Sequence, residues 1–520
     1  MSRQALLCVA LAFAAVVRGA SDTPAERLPR SSPEAQGVSS AALLEFVKAA
    51  DTKVDGLNSF MLVRHGYVVA QGWWGPYTAN DPHWLYSMTK SFTSTAEGIA
   101  ISEGRMSIND QVVMYFPKET PAAPSDNLKK VRVRDLLTMS VGHSVSALEN
   151  FQYYAQDSAV ARYLALPIEN RPGTAFVYNS PGTFVQAAIV QKVTGMSVHD
   201  YLMPRLFEPL GIGNPDWNMN PQGINLGESG LFLRTEDIAS FGQLLLQKGN
   251  WKGRQLVPAE WIEAATSKQV SNGSDPTSDW DCGYGYQFWR CRPGFFRADG
   301  AFGQFCFVMP QYDAVLALTS GVKDTQGEMN MVYDNLLPAL FPAPLPADPA
   351  GEAVLKQATA GLMIKAPKTQ DPSPLAAQFM GNTYVFPENP RHIHSVSLQA
   401  VNGEIQLTVT GEGIDGPPIT VGSGTWARGH TKFGTDINPA ERFILDMPVA
   451  AIGGWTSPDT FAAKLCYYQT PYSLTLQLQF GGDIVVLDGD YNVSFKPNAI
   501  TSLVGRKQAP GTEVATPPRL

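Results

Sequence analysis

The sequence is poor in cysteine and in positive charge. Only 5 cysteines occur in 520 residues, and 39 Lys and Arg stand against 47 Asp and Glu, for a net charge of -8. With no long Lys/Arg run, the chain lacks the basic footprint that nucleic acid or an anionic membrane surface requires. The small group Lys129, Lys130, Arg132 and Arg134 reads as a solvated face. Beyond the first twenty residues no uninterrupted apolar segment is long enough to span a bilayer. G-x-S-x-G, H-E-x-x-H and P-loop sequences are all missing, which removes the common rival hydrolase motifs. Nothing points to disorder either: 44% hydrophobic and 17% charged residues describe a globular chain with ample core.

What is present begins with a leader. Met1-Ser2-Arg3, the apolar run ALLCVALAFAAVV and the exit RGASD match a secretory signal peptide at 1–20, with cleavage after Gly19 or Ala20. Cys8 would leave with it. The remaining Cys282, Cys291, Cys306 and Cys466 permit two disulfides in any of three pairings. Cys282 and Cys291 flank YGYQFW, which reads as a strand too long to let them bond; Cys291 with Cys306 on a neighbouring strand is easier, and free buried thiols are the alternative.

LNSFMLVRHGYVVAQGWWG is a hairpin signal turning at His65-Gly66. SMTKSFTSTAEGIAISEG, GTFVQAAIVQKVTG and EDIASFGQLLLQKG each read as a helix stopped by glycine, and QFCFVM and AVLALTSG as strands. Strands from both ends of one domain, with helices between, predict an α+β sheet flanked by helices over 33–342. FPAPLPADPAG and KAPKTQDPSP are rich in proline and read as a linker at 343–374. Alternating segments such as EIQLTVTG, RFILDMPV and SLTLQLQF then predict an all-β sandwich or barrel at 375–507, followed by a tail at 508–520.

Ser87-Met88-Thr89-Lys90 falls at a helix start. At i and i+3 the two polar side chains share a face, so an amine can approach the hydroxyl and accept its proton if burial and neighbours lower its pKa. By itself Ser-x-x-Lys is a weak signal. FMLVRHGYVVAQ, YSMTKSFTS, VRVRDLLTMSVG, RPGTAFVYNSPG, VTGMSVHDYLMPRLFEPLGI and LFLRTEDIASFGQLLLQKGNWKGRQLVP add to it. In that order and spacing they resemble the serine hydrolases related to class C β-lactamases and D-Ala-D-Ala carboxypeptidases, over residues 35 to 340.

The resemblance implies a β-lactamase/transpeptidase-like fold with a helical subdomain. It makes Ser87 the acyl-accepting nucleophile, Lys90 its proton partner and Tyr178 the tyrosine that shares the base role and protonates the leaving group. Ser180 stands where that family most often has Asn. The third motif, a Lys/His-x-Gly in the family, matches Ala298-Asp299-Gly300, which offers no cation for a substrate carboxylate unless Arg297 supplies it. The backbone N–H of Ala301 could complete an oxyanion hole with that of Ser87. The C-terminal segment resembles the lipocalin-like barrels appended to some such hydrolases.

Other matches carry less. Ser125-Asp126-Asn127 reads as a loop, Lys192-Val193-Thr194-Gly195 as a helix end, and His392 and His394 as solvent-facing residues. Asn272-Gly273-Ser274 and Asn492-Val493-Ser494 fit the glycosylation pattern. The resulting expectation is an exported serine hydrolase, secreted or periplasmic. It would cleave a small ester, amide or peptide-like substrate without metal or organic cofactor. A β-lactamase or D,D-carboxypeptidase is one alternative, and a catalytically silent binding or scaffold protein is the other.

Overall fold

The computed structural model describes residues 28–54, 56–148, 151–155, 157–370, 373–434, 446–495 and 497–509. The expected leader at 1–20 and most of the expected tail lie outside them. The run LNSFMLVR forms β1 (Leu57–Arg64), buried at every position, and turns into β2 (Tyr67–Trp73). His65 at φ 50° and Gly66 at φ 81° are both left-handed, as a two-residue hairpin turn demands. Four strands from the far end of the domain join them: β3 (Trp289–Arg290), β4 (Phe296–Gly300), β5 (Gln304–Met309) and β6 (Ala314–Ser320). The antiparallel order is β2-β1-β6-β5-β4-β3.

Helices α1 (Ser40–Lys53), α2 (Thr89–Ser102), α3 (Ser180–Thr194), α4 (Thr235–Leu246) and α5 (Thr325–Asn335) cover this sheet or pack beside it. Because strand side chains alternate between faces, Phe60, Leu62, Phe307 and Leu316 join Leu43 and Phe46 of α1. Met61, Val63, Val308 and Val315 join Phe241 and Leu244 of α4 on the other side. A Cβ on Gly242 would lie 2.5 Å from Val315 Cγ1 and 2.6 Å from Cys306 Sγ, so glycine is what lets α4 approach the sheet.

α2 is enclosed by this face and by α3, with Phe92 stacked on Phe241 at 4.0 Å. At its middle, Glu97 is fully buried, and among the described residues neither carboxyl oxygen has a hydrogen-bond partner. Desolvation pushes its pKa well above the usual carboxyl value. The folded chain therefore keeps a proton that the unfolded chain releases, and stability falls as pH rises above the unfolded carboxyl range. Glu97→Gln should raise the melting temperature, and the gain should grow as the pH rises above the unfolded carboxyl range, with a limiting slope of about 1.4 kcal/mol per pH unit. A gain that is flat across a pH series of thermal melts would contradict this account.

Two expectations change. YGYQFW is not a continuous strand: Gln287 at φ 67° breaks it, its Nε2 binds the carbonyls of Leu136 and Leu137, Tyr284 makes only isolated bridges to Val270 and Trp289, and the paired strand is Trp289–Arg290. Cys291 and Cys306 do not bond, because they belong to cores on opposite faces of the sheet; all four described cysteines are thiols. The described part of the proline-rich linker stretch carries regular structure of its own. It contains α6 (Pro349–Ala360), which buries Leu355 against the α1 core, and Ile364 N–H then donates to Gly75 O.

Among the described residues the C-terminal segment folds as ten strands: β7 (Thr383–Val385), β8 (Ile393–Val401), β9 (Glu404–Gly411), β10 (Ile419–Val421), β11 (Ala427–Thr431), β12 (Met447–Trp455), β13 (Thr460–Cys466), β14 (Ser473–Gly481), β15 (Ile484–Tyr491) and β16 (Ala499–Lys507). Their order is β10-β9-β8-β7-β16-β15-β14-β13-β12-β11. Gly422, just after β10, nearly closes the barrel through its carbonyl, which accepts from Gly453 N–H at 3.1 Å, and its own N–H, which donates to Ala451 O at 3.2 Å. Leu398, Leu407, Leu465, Leu476 and Leu487 fill the interior. Of the two glycosylation-pattern asparagines, Asn492 is tied down: its Nδ2 donates to Gly321 O and Pro471 O, each at 2.8 Å.

Candidate active site

Ser87 sits in a 3-10 turn, Tyr86–Met88, that runs directly into α2. One turn further, Lys90 is 1% exposed, and its Nζ donates to Ser87 Oγ at 2.9 Å and to Glu228 O at 2.9 Å. Tyr178, from the segment leading into α3, lies close enough for the Ser87 side chain to lower the pKa of its phenol. Lys90 Nζ lies 5.0 Å from the centre of the Tyr178 ring, which also stacks with Trp289 at 5.6 Å. The three residues singled out by sequence, from places 91 positions apart in the chain, thus gather around the Lys90 amine.

Burial pushes the Tyr178 phenol well above its usual value; the hydrogen bond to Ser87 pulls it back, and the charges of Asp299 and Glu228 push it up again. At neutral pH it is a proton donor. Glu228 is raised to about 7 by desolvation, which outweighs the attraction of Lys90. Asp299 is raised to about 6 for the same reason, against the pull of Arg297 and of Lys90. A lysine enclosed with two carboxyls that titrate near neutrality is a setting suited to proton transfer. Glu228, which the sequence reading missed, carries no motif: GESG reads as a turn, and only the fold brings it to Lys90.

The third-motif strand is β4. Its Arg297 is fully buried, with Nε donating to Asp299 Oδ2 at 2.7 Å and the guanidinium 4.7 Å from the Trp280 ring and 5.6 Å from that of Trp289. Its charge is committed to Asp299, so it does not serve as the clamp for a substrate carboxylate. Gly300 has a backbone reason to be glycine, since a Cβ there would lie 2.1 Å from Leu85 O. This contact brings the end of β4 and Ala301 against the turn that carries Ser87. Ser180 begins α3 and is 5% exposed, which leaves its hydroxyl little access to a bound molecule. Ser125-Asp126-Asn127 is a loop with Asn127 Nδ2 donating to Ile168 O, and Gly195 caps α3 at φ 73°. His392 is an exposed residue just before β8, 3.6 Å from Glu412. Among the described residues no group of three or more His, Cys, Asp or Glu is placed to hold a metal ion.

Comparison with known proteins places this geometry in context. The family model described as Beta-lactamase matches residues 45–339. The chain is 25% identical over 288 residues to the 6-aminohexanoate-dimer hydrolase of Paenarthrobacter ureafaciens, covering 51% of this chain and 73% of that one. It is 22% identical over 247 residues to an N-acetylmuramyl-L-alanine amidase of Bacillus subtilis, covering 37% of this chain and 55% of the amidase. Among solved structures, an octameric penicillin-binding protein homologue from Pyrococcus abyssi aligns with 89% of this chain and 98% of its own, at 16% identity and a TM-score of 0.45.

Proposed function

We propose that this chain, which belongs to the beta-lactamase family and is a serine hydrolase, cleaves a small ester or amide through an acyl-enzyme on Ser87. The observation that carries the reading is the approach of Lys90 Nζ to within 2.9 Å of Ser87 Oγ, with the Tyr178 ring 5.0 Å from the same nitrogen. In the first step Ser87 Oγ attacks the carbonyl carbon as the Lys90 amine, in its unprotonated form, takes the serine proton, which later replaces the one Tyr178 gives to the leaving group. The negative oxygen that forms is held by the backbone N–H groups of Ser87 and Ala301, and the Tyr178 phenol donates a proton to the leaving alcohol or amine. Water then attacks the ester carbonyl by the same proton path in reverse and releases the acid.

The buried, paired state of Arg297 and the carboxyl of Asp299 favour a substrate without a carboxylate beside the scissile bond. That weighs against a β-lactam or a D-Ala-D-Ala terminus and towards neutral esters and amides, including peptide-like amides. Among the described residues no helix is long and apolar enough to cross a membrane. Export to a secreted or periplasmic location belongs to the same proposal and rests on the leader-like first twenty residues.

The test is intact-mass spectrometry after exposure to a fluorophosphonate, with Ser87→Ala as control, followed by turnover of a short p-nitrophenyl ester and of a penicillin. The expected result is one adduct per chain, absent from Ser87→Ala, and faster turnover of the ester. A folded wild-type protein that takes no adduct would sink the proposal in favour of a silent scaffold. Faster turnover of penicillin would replace the substrate class.

A further inference from the structure

Two non-glycine residues flanking the oxyanion donors have left-handed backbones. Tyr86, just before Ser87, has φ 49°, and Phe302, just after Ala301, has φ 65°. Bulky residues hold such conformations only where their surroundings over-determine them. Here the surroundings come from the C-terminal barrel.

The Tyr86 and Phe302 rings meet edge to face at 5.8 Å. Both touch the same two barrel residues. Tyr472 lies 6.4 Å from Tyr86 and 5.8 Å from Phe302, and its hydroxyl is hydrogen-bonded to that of Tyr86. Phe495 lies 5.9 Å from Tyr86 and 4.6 Å from Phe302. Backbone ties fix the same loops. Trp84 N–H, three residues before Ser87, donates to Gln469 O at 2.8 Å, Tyr77 Oη donates to Thr470 O at 3.1 Å, and Asn492 Nδ2 reaches Gly321 O. Trp84 and Tyr86 belong to the barrel's own buried cluster rather than to the core beneath α2.

We propose that the C-terminal barrel is part of the catalytic apparatus, with Tyr472 and Phe495 as positioning residues that set the oxyanion donors of Ser87 and Ala301 through Tyr86 and Phe302. The inference rests on the acyl-enzyme reading above. It gives the appended barrel a role in rate that is separate from stability: the loop between β13 and β14 and the loop after β15 hold two strained turns in register with each other.

The experiment uses the full chain with Tyr472→Ala, Tyr472→Phe and Phe495→Ala, and reads ester kcat and KM, thermal melting and the affinity of an alkyl boronic acid that mimics the tetrahedral oxyanion. Phe495 is 59% exposed, so its truncation leaves the fold intact even if Tyr472→Ala does not fold. Phe495→Ala, and Tyr472→Ala where folded, are expected to lose about tenfold in kcat and a parallel factor in boronate affinity, with KM little changed. Tyr472→Phe, which keeps the ring, should recover most of that loss. Folded Phe495→Ala with wild-type kcat, or with lower kcat and unchanged boronate affinity, overturns the proposal. Failure of wild-type Ser87 to label is a different result: it strikes the acyl-enzyme reading itself and this inference with it.

Discussion

Replacing Lys90 by methionine should lower the rate of Ser87 acylation by about three orders of magnitude while the chain still folds. Methionine has nearly the length and shape of the lysine stem, so the packing around a residue 1% exposed is kept. What is lost is the amine that contacts both Ser87 Oγ and Glu228 O. The folded state survives because the carboxyl left behind can neutralise itself. Desolvation already raises Glu228 to about 7 against the pull of Lys90, and without that pull it takes up a proton. Stopped-flow measurement of the p-nitrophenolate burst reads the effect directly. Lys90→Arg should fail as well, because a guanidinium keeps its proton at any working pH. A methionine variant that retains a tenth of the wild-type burst rate would remove Lys90 from the proton path.

Gly300→Ala should have the next largest effect, a loss of about a hundredfold in kcat together with roughly 2 kcal/mol of stability. The added methyl would stand 2.1 Å from Leu85 O, and neither side yields easily. Leu85 N–H is held by Leu231 O, and β4 is fixed by its pairing with β5. The clash is therefore relieved by moving the Ser87 turn away from Ala301, which separates the two proposed oxyanion donors. Chemical denaturation and ester kinetics on the same preparation separate the two losses. An unchanged kcat in a destabilised but folded variant would show that Gly300 serves packing alone.

The parts of this site that could be read in the sequence are those whose chemistry is local or whose motifs recur in order. Ser87 and Lys90 lie one helical turn apart, and the segment around Tyr178 matched as a block, so their meeting was foreseeable. The hairpin at His65-Gly66 and the helices ending in glycine were legible for a similar reason, since a turn residue and a hydrophobic period sit within a few positions of each other. Glu228 was not, because its burial beside Lys90 depends on a loop crossing that no periodicity reports. The strand reading of YGYQFW failed because Gln287 satisfies two carbonyls of a distant segment, and such a tertiary bond overrides the alternation of aromatic residues. Arg297 looked like a substitute cation by position. In the folded chain Asp299, two residues along the same strand face, neutralises it beside the indole rings of Trp280 and Trp289.

The connectivity of the first sheet also governs how this protein comes into being. β1 pairs with β6, so Leu57 meets Ser320 across roughly 260 residues of chain. During synthesis the hairpin of β1 and β2 emerges early, with one edge open and apolar side chains on both faces, and its permanent neighbour arrives long afterwards. An unpaired apolar edge is a template for association between chains. The nascent protein therefore depends on being kept apart from its own copies until the last strand of the domain is made, and its refolding yield should be limited by concentration more than by the stability of the finished structure.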